Sequence, residues 1–171
     1  MPKKKIAVLL GNDFEDSEFR EPVDRLTQAG HEVEVLGVEN GRELVGKRRD
    51  ERVTPSACVA DRDAGEYDAV LIPGGYSPDH LRTDEAMVGF VKSAFARGVP
   101  IAAICHAPHL LIEADVVRER TMTSWPSVKT DLENAGATWV DREVVVDAPL
   151  ITSRNPEDLE AFSNALLERL G

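Results

Sequence analysis

Cysteine is nearly absent. Cys58 and Cys105 are the only two in 171 residues, they lie far apart, and they build no disulfide framework. A reducing cytoplasm is therefore the expected location. Long apolar runs are missing too, and no stretch approaches the ~20 apolar residues of a membrane span. The run Ile6–Leu10 is too short for a secretory signal and leads into Asn12-Asp13-Phe14-Glu15-Asp16 with no small-residue cleavage site. Positive charge is scarce. Twenty Lys and Arg against 31 Asp and Glu leave a formal net charge of −11, a field that repels nucleic acid and anionic membranes, so neither is an expected partner. The short basic runs Lys3-Lys4-Lys5 and Lys47-Arg48-Arg49 read as a solubilising start and a charged surface loop. No solenoid repeat, low-complexity segment or linker interrupts the chain.

What is present is an ordinary globular balance, 42% hydrophobic and 30% charged, over a length that fits a single domain spanning residues 1–171. Short, continuously apolar runs alternate with amphipathic ones. Lys5–Leu10, His31–Val38, Asp68–Ile72 and Val99–Cys105 read as buried strands. Glu18–Ala29 reads as a helix with Phe19, Val23 and Leu26 inward, and Thr83 caps a helix through Ala96. Ala29-Gly30, Arg97-Gly98 and Ala135-Gly136 are helix endings of one type, each followed by an extended segment. Gly41–Thr54 predicts a small hairpin excursion, and Glu143–Thr152 a late hairpin turning at Asp147-Ala148-Pro149. Asn155 and Pro156 open the final helix, with Glu157 and Asp158 against its positive end. Strands alternating with helices of this length imply an α/β fold with a central, mostly parallel sheet covered on both faces.

In such a sheet, ligand sites lie beyond the carboxyl ends of the strands. The segment Val99-Pro100-Ile101-Ala102-Ala103-Ile104-Cys105-His106-Ala107-Pro108 places Cys105 there, before a helix opening at Pro108. The small residues Ala103 and Ala107, two before and two after, are what a tight nucleophile elbow demands. A cysteine at a helix start is expected to have a depressed pKa. Cys105, His106 and His109 sit at no recognised zinc spacing with further ligands, so no metal is expected. Pro73-Gly74-Gly75 ends the preceding strand, and the Gly75 and His106 amides form the natural oxyanion pair. The acidic loop Asn12–Glu18 opens at the same sheet edge. One of its carboxyls can reach the thiol, protonated or sharing a proton with sulfur.

Five ordered motifs complete the reading: Asp13-Phe14-Glu15-Asp16-x-Glu18, Pro73-Gly74-Gly75-x-x-Pro78-Asp79, Ile104-Cys105-His106-x-Pro108, Thr123-Ser124-x-Pro126, and Thr152-Ser153-Arg154-x-Pro156-x-Asp158-Leu159. Together they span nearly the whole chain and resemble the ThiJ/PfpI superfamily, in its PfpI-type intracellular protease and stress-protein deglycase branch. The resemblance implies a flavodoxin-like three-layer sandwich related to class I glutamine amidotransferases, working without a cofactor. It implies Cys105 as nucleophile, Glu15 as the protonated carboxyl on its sulfur, and His106 as its partner. Gly75 and His106 supply the oxyanion hole, while Gly74 and Trp125 line the substrate pocket. An acid from a neighbouring subunit of a dimer or larger homo-oligomer completes the site, and the matching position is Asp79, where the pattern has Glu. Ala107 likewise replaces a usual Gly. The implied activity is hydrolysis of glyoxal or methylglyoxal adducts. The alternatives are a peptidase with a site shared between subunits, and a non-catalytic redox-sensing or chaperone-like stress protein.

Overall fold

The computed structural model describes residues 2–171. Its main sheet has seven strands in the order β10-β11-β7-β6-β1-β2-β5: β1 (Lys5–Leu9), β2 (Glu32–Gly37), β5 (Ala57–Cys58), β6 (Ala69–Ile72), β7 (Ile101–Ile104), β10 (Val145–Asp147) and β11 (Leu150–Ser153). All neighbours run parallel except β10, which folds back on β11 as the expected late hairpin. A second hairpin, β3 (Leu44–Val45) with β4 (Arg52–Val53), is the predicted excursion, and β8 (Thr121–Met122) pairs with β9 (Thr138–Trp139).

Among the described residues there are six α-helices: α1 (Asp16–Gln28), α2 (Ser77–Leu81), α3 (Glu85–Ala96), α4 (Pro108–Glu113), α5 (Lys129–Asn134) and α6 (Leu159–Leu170). The period-2 alternation of the strands divides the core in two. Ile6, Val8, Leu71, Ala102 and Ile104 pack with Phe19 and Leu26 of α1 and with Phe162 and Leu166 of α6. Ala7, Leu9, Val70, Ile72 and Ala103 pack on the other face with Met87 and Val91 of α3 and Leu110 and Leu111 of α4. Both faces of β1, β6 and β7 are thus dry, as their unbroken apolar runs require.

Gly30, Gly98 and Gly136 all sit at positive φ just past a helix, the conformation their sequence positions implied. Two helix starts differ from expectation. α3 is capped by Asp84, whose carboxylate accepts from the Met87 amide at 2.8 Å, because the Thr83 hydroxyl is engaged with the His80 carbonyl instead. The second matters for chemistry: α1 begins at Asp16, two residues earlier than predicted, with Glu15 at the cap position. That extra half-turn moves Glu18 onto the stripe shared with Pro22 and Leu26, which faces the protein interior.

Candidate active site

The chain turns outward along β1, β2 and β5 and then returns to β6, so the sheet's connectivity reverses between β1 and β6. The loops following those two strands are clipped together there. Phe14 and Gly75 form an isolated antiparallel bridge, Glu15 N donates to Gly74 O at 3.2 Å, and Tyr76 N donates to Asp13 O at 2.8 Å. Gly75 has φ +74, and a β-carbon on it would lie 2.5 Å from both Asp13 O and Glu15 N. Only glycine fits, and the turn leaves the Gly75 amide facing the sulfur of Cys105.

Cys105 itself holds φ +64, a left-handed conformation that costs a side-chain-bearing residue about 1–2 kcal/mol. Three bonds enforce it. Its amide donates to Ser153 O at 3.0 Å at the end of β11, its carbonyl accepts from Trp125 N at 2.9 Å, and Ala107 N closes onto Ile104 O at 3.0 Å. This is the nucleophile elbow that the small residues around Cys105 implied. The thiol is 7% exposed, its sulfur stands 3.3 Å from His106 Nδ1, and the His106 amide also faces it.

The carboxyl at the thiol is Glu18. This corrects the assignment to Glu15. Glu18 is fully buried, and its Oε1 accepts from Gly74 N at 2.8 Å. Gly74 separates it from the cysteine so closely that a β-carbon there would lie 2.6 Å from Glu18 Oε1 and 2.9 Å from Cys105 Cβ. Gly74 is therefore a spacer under the site, with no room to line a substrate pocket. Burial, with help from the Glu15 charge, pushes the Glu18 carboxyl up to about 8, outweighing the Gly74 amide, so it is protonated at neutral pH. Its Oε2 has no hydrogen-bond partner among the described residues, and the Cys105 thiol is the neighbouring acidic group. Glu15 points to a different place. Lys47 Nζ at 2.9 Å and Arg48 Nε at 2.6 Å hold it, and they outweigh burial to keep it below the usual carboxylate range.

The expected depression of the Cys105 pKa is reversed. Burial is the largest cause and the Glu18 charge the second, and together they push the thiol up against the pull of the Gly75 and His106 amides and of Lys47. Burial also lowers His106 below its ordinary value, followed by the charges of His109 and Lys47, so the ring is neutral and able to accept a proton at Nδ1. Its Nε2 lies 3.4 Å from Ser127 Oγ, and the Trp125 ring stacks on it at 6.2 Å between centroids. His109 turns to Asp131 at 3.3 Å.

These distances describe a cysteine–histidine–carboxyl site, and the comparisons say whose. The DJ-1/PfpI family model matches residues 4–169. The chain belongs to the DJ-1/PfpI family. It is 46% identical over 169 residues to "Protein/nucleic acid deglycase 2" of Escherichia coli (strain K12), covering 98% of each chain. It is also 46% identical over 170 residues to "General stress protein 18" of Bacillus subtilis (strain 168), covering 97% of this chain and 99% of that one. Among solved structures, it superposes with TM-score 0.98 and 43% identity on a two-domain protein of Anabaena variabilis with dj-1/thij/pfpi-like and ferritin-like domains. That match covers 99% of this chain and 48% of the other, so this chain spans about half of that protein.

Within this DJ-1/PfpI chain the remaining predicted residues fall as follows. Trp125 stands at the rim, 40% exposed, as the wall against His106. Asp79 is exposed on α2 and forms no hydrogen bond or ion pair with His106 among the described residues. Two further groups were not foreseen. Lys47 and Arg48, expected as a charged surface loop, pair with Glu15, and no pattern in the sequence marks Ser127. The cue for Glu18 is its helical spacing, four residues before Pro22 and eight before Leu26, which makes it an acid on an apolar stripe. For Lys47 the cue is a tertiary one. Asp16, 1% exposed, accepts from the amides of Arg48 (2.8 Å), Asp50 (3.0 Å) and Glu51 (2.9 Å) and pulls the β3–β4 loop over the site.

Proposed function

We propose that this chain is a cysteine-dependent hydrolase of the cytoplasmic stress response that removes early glyoxal or methylglyoxal adducts from protein side chains and releases a hydroxy acid. The position of one sulfur carries the reading. Cys105 Sγ stands 3.3 Å from His106 Nδ1, beside the Glu18 carboxyl, with the Gly75 and His106 amides facing it. The relative named a deglycase supports the substrate, and the relative named a general stress protein supports the setting. The net charge of −11 favours protein side chains over nucleic acid as the carrier of the adduct.

In this mechanism His106 Nδ1 takes the thiol proton as the sulfur–carbon bond forms at the carbonyl carbon. The carbonyl electron pair moves onto oxygen, where the Gly75 and His106 amides hold it and the protonated Glu18 adds an O–H donor. The proton on His106 returns to the departing nitrogen or sulfur of the protein side chain. One water is consumed overall. Departure of that side chain leaves the dicarbonyl on Cys105; a hydrogen shift between its two carbons oxidises one as it reduces the other, giving a Cys105 thioester, and the water cleaves that thioester to release the hydroxy acid and the free thiol. Turnover of a methylglyoxal–N-acetylcysteine adduct, followed by lactate release, tests the reading. Cys105→Ser abolishes it if the proposal holds, and full activity in that variant sinks it.

A second reading, an intracellular peptidase with a site shared between subunits, is favoured by one observation. His106 Nε2 meets Ser127 and no carboxylate in its own chain, while Asp79 is exposed and carries no ion pair among the described residues. Self-association would then bring Asp79 of one copy to His106 of another. Sedimentation of the native protein, with casein hydrolysis by wild type and Asp79→Asn, separates the two: a monomer, or an unimpaired variant, rules this reading out.

A further inference from the structure

The loop between β3 and β4 is more tightly built than a solvated charged turn needs to be. Asp13 N donates to Val45 O at 2.9 Å, Lys47 N donates to Phe14 O at 2.9 Å, and Val45 N donates to Asn12 Oδ1 at 3.0 Å. Three further amides converge on the buried Asp16 carboxylate. Gly46 presses against that carboxylate so closely that no β-carbon fits between them. Six hydrogen bonds thus fix the backbone from which Lys47 projects.

Its ammonium ends in a defined place. Nζ lies 2.9 Å from Glu15 Oε2 and 5.8 Å from the centre of the Tyr76 ring, and Tyr76 directly follows the oxyanion donor Gly75. Glu15 is shared with Arg48, which is also attracted by the Asp16 and Asp50 carboxylates, whereas Lys47 directs its ammonium toward the Tyr76 ring. The Lys47 side chain is 35% exposed, open to an incoming group. Its charge is felt at Cys105, Glu18 and His106 alike. In a chain of net charge −11 this is a local positive spot at the mouth of the site. Arg48 takes one oxygen of Glu15 and Lys47 the other, so the carboxylate holds the ammonium in place while part of it stays open to solvent.

We propose that Lys47 is a specificity residue, which draws to Cys105 those carbonyl compounds that carry a carboxylate beside the reacting carbon, the class of 2-oxo-acid adducts. The proposal rests on Cys105 being the reacting group of the function proposed above. It also implies that a hydroxy-acid product is held by the same ammonium after hydrolysis. Desolvation at a partly buried site makes such a contact stronger than a surface ion pair.

Iodoacetate and iodoacetamide test this without requiring turnover. Both alkylate a thiolate, they are nearly the same size, and only one carries a charge. The ratio of their rate constants at Cys105, read by mass spectrometry, cancels the intrinsic reactivity of the sulfur. The ratio in wild type is expected to exceed that of a small neutral thiol such as N-acetylcysteinamide. It is expected to drop roughly fivefold or more in Lys47→Met, stay high in Lys47→Arg, and fall with added salt. Arg49→Gln, two residues along the same loop, reports whether disturbing the loop is enough, and leaves the ratio unchanged if Lys47 is responsible. A ratio equal to that of the free thiol, or one unaltered by Lys47→Met, overturns the proposal. The hydrolase reading fails separately, through unaltered turnover in Cys105→Ser.

Discussion

Glu18 and Cys105 face each other across Gly74, whose amide binds one carboxyl oxygen at 2.8 Å and whose missing side chain lets the two groups approach. The consequence is chemical. Burial, helped by the Glu15 charge, keeps the carboxyl protonated at pH 7, and the Glu18 charge adds to the burial that pushes the thiol up. Glu18→Gln removes the repelling charge and retains a donor. The pH midpoint of iodoacetamide labelling at Cys105 is expected to move down in that variant, while Glu15→Gln changes it far less. An unmoved or higher midpoint in Glu18→Gln would show that the carboxylate does not act on the sulfur.

The same carboxyl makes stability depend on pH. Its folded pKa of about 8 lies above the ordinary 4.5, so the native state holds a proton that the unfolded chain has lost. The contribution is complete below pH 4.5 and is lost progressively up to about pH 8, reaching about 5 kcal/mol at about 1.4 kcal/mol per pH unit. Urea midpoints across that window are expected to fall for wild type and to be flatter for Glu18→Gln, with the variant the more stable at pH 8. Parallel curves for the two proteins would contradict the assignment.

The sequence pattern shows the elbow directly because its causes are local: an apolar strand, small residues at Ala103 and Ala107, and Pro108 opening a helix. The Gly74-Gly75 turn is legible for the same reason. The choice among the four acids of the Asn12–Glu18 loop is not local. It depends on where α1 begins, and a helix starting at Asp16 turns Glu18 inward, whereas one starting at Glu18 leaves it in an exposed first turn. Resemblance to a family placed the carboxyl at Glu15, one turn too early. Lys47 is further from legibility still, since its position is fixed by amides of residues 48, 50 and 51 meeting a carboxylate over thirty residues earlier. Expecting a low thiol pKa failed for a related reason: α4 begins only at Pro108 and is short, and the burial of Cys105 outweighs it.

Asp16 is the anchor of that loop, and its carboxylate stays charged because the amides of Arg48, Glu51 and Asp50, together with its own, outweigh the cost of burial. Asp16→Ala leaves those amides without an acceptor and is expected to cost about 3 kcal/mol in global stability. Hydrogen exchange should rise sharply at residues 46–51 while the β1, β6 and β7 amides keep their relative order of protection. Unchanged exchange in the loop would mean that the hairpin stands without its anchor.

At Gly75 the demand is steric and electrostatic together. Alanine there has a strained φ of +74 and pushes against Asp13 O and Glu15 N at 2.5 Å, so the turn must open and its amide swing away from the sulfur. Turnover in Gly75→Ala is expected to fall about 100-fold, the usual loss for one oxyanion donor, with kcat affected more than KM. A Gly75→Ala enzyme with normal kcat would exclude this amide from the transition state.

Ser127 is the remaining in-chain contact of the base. With Nδ1 accepting the thiol proton, the Nε2–H of His106 is left to donate to Ser127 Oγ, 3.4 Å away, and that bond keeps the ring in the productive tautomer. Burial, His109 and Lys47 hold His106 below its ordinary pKa, so neutral base is present at pH 7 and is lost as the medium is acidified through that lowered value. Ser127→Ala removes one neutral hydrogen bond and is expected to lower kcat by about 2- to 10-fold. The acid limb of kcat/KM should shift further toward low pH, because the imidazolium loses an acceptor. Ser127→Thr, which keeps the hydroxyl, restores both. If the alanine variant loses activity with an unshifted limb and threonine does not rescue it, the hydroxyl does not position His106, and the ring must take its orientation from the Trp125 stack or from a neighbouring subunit.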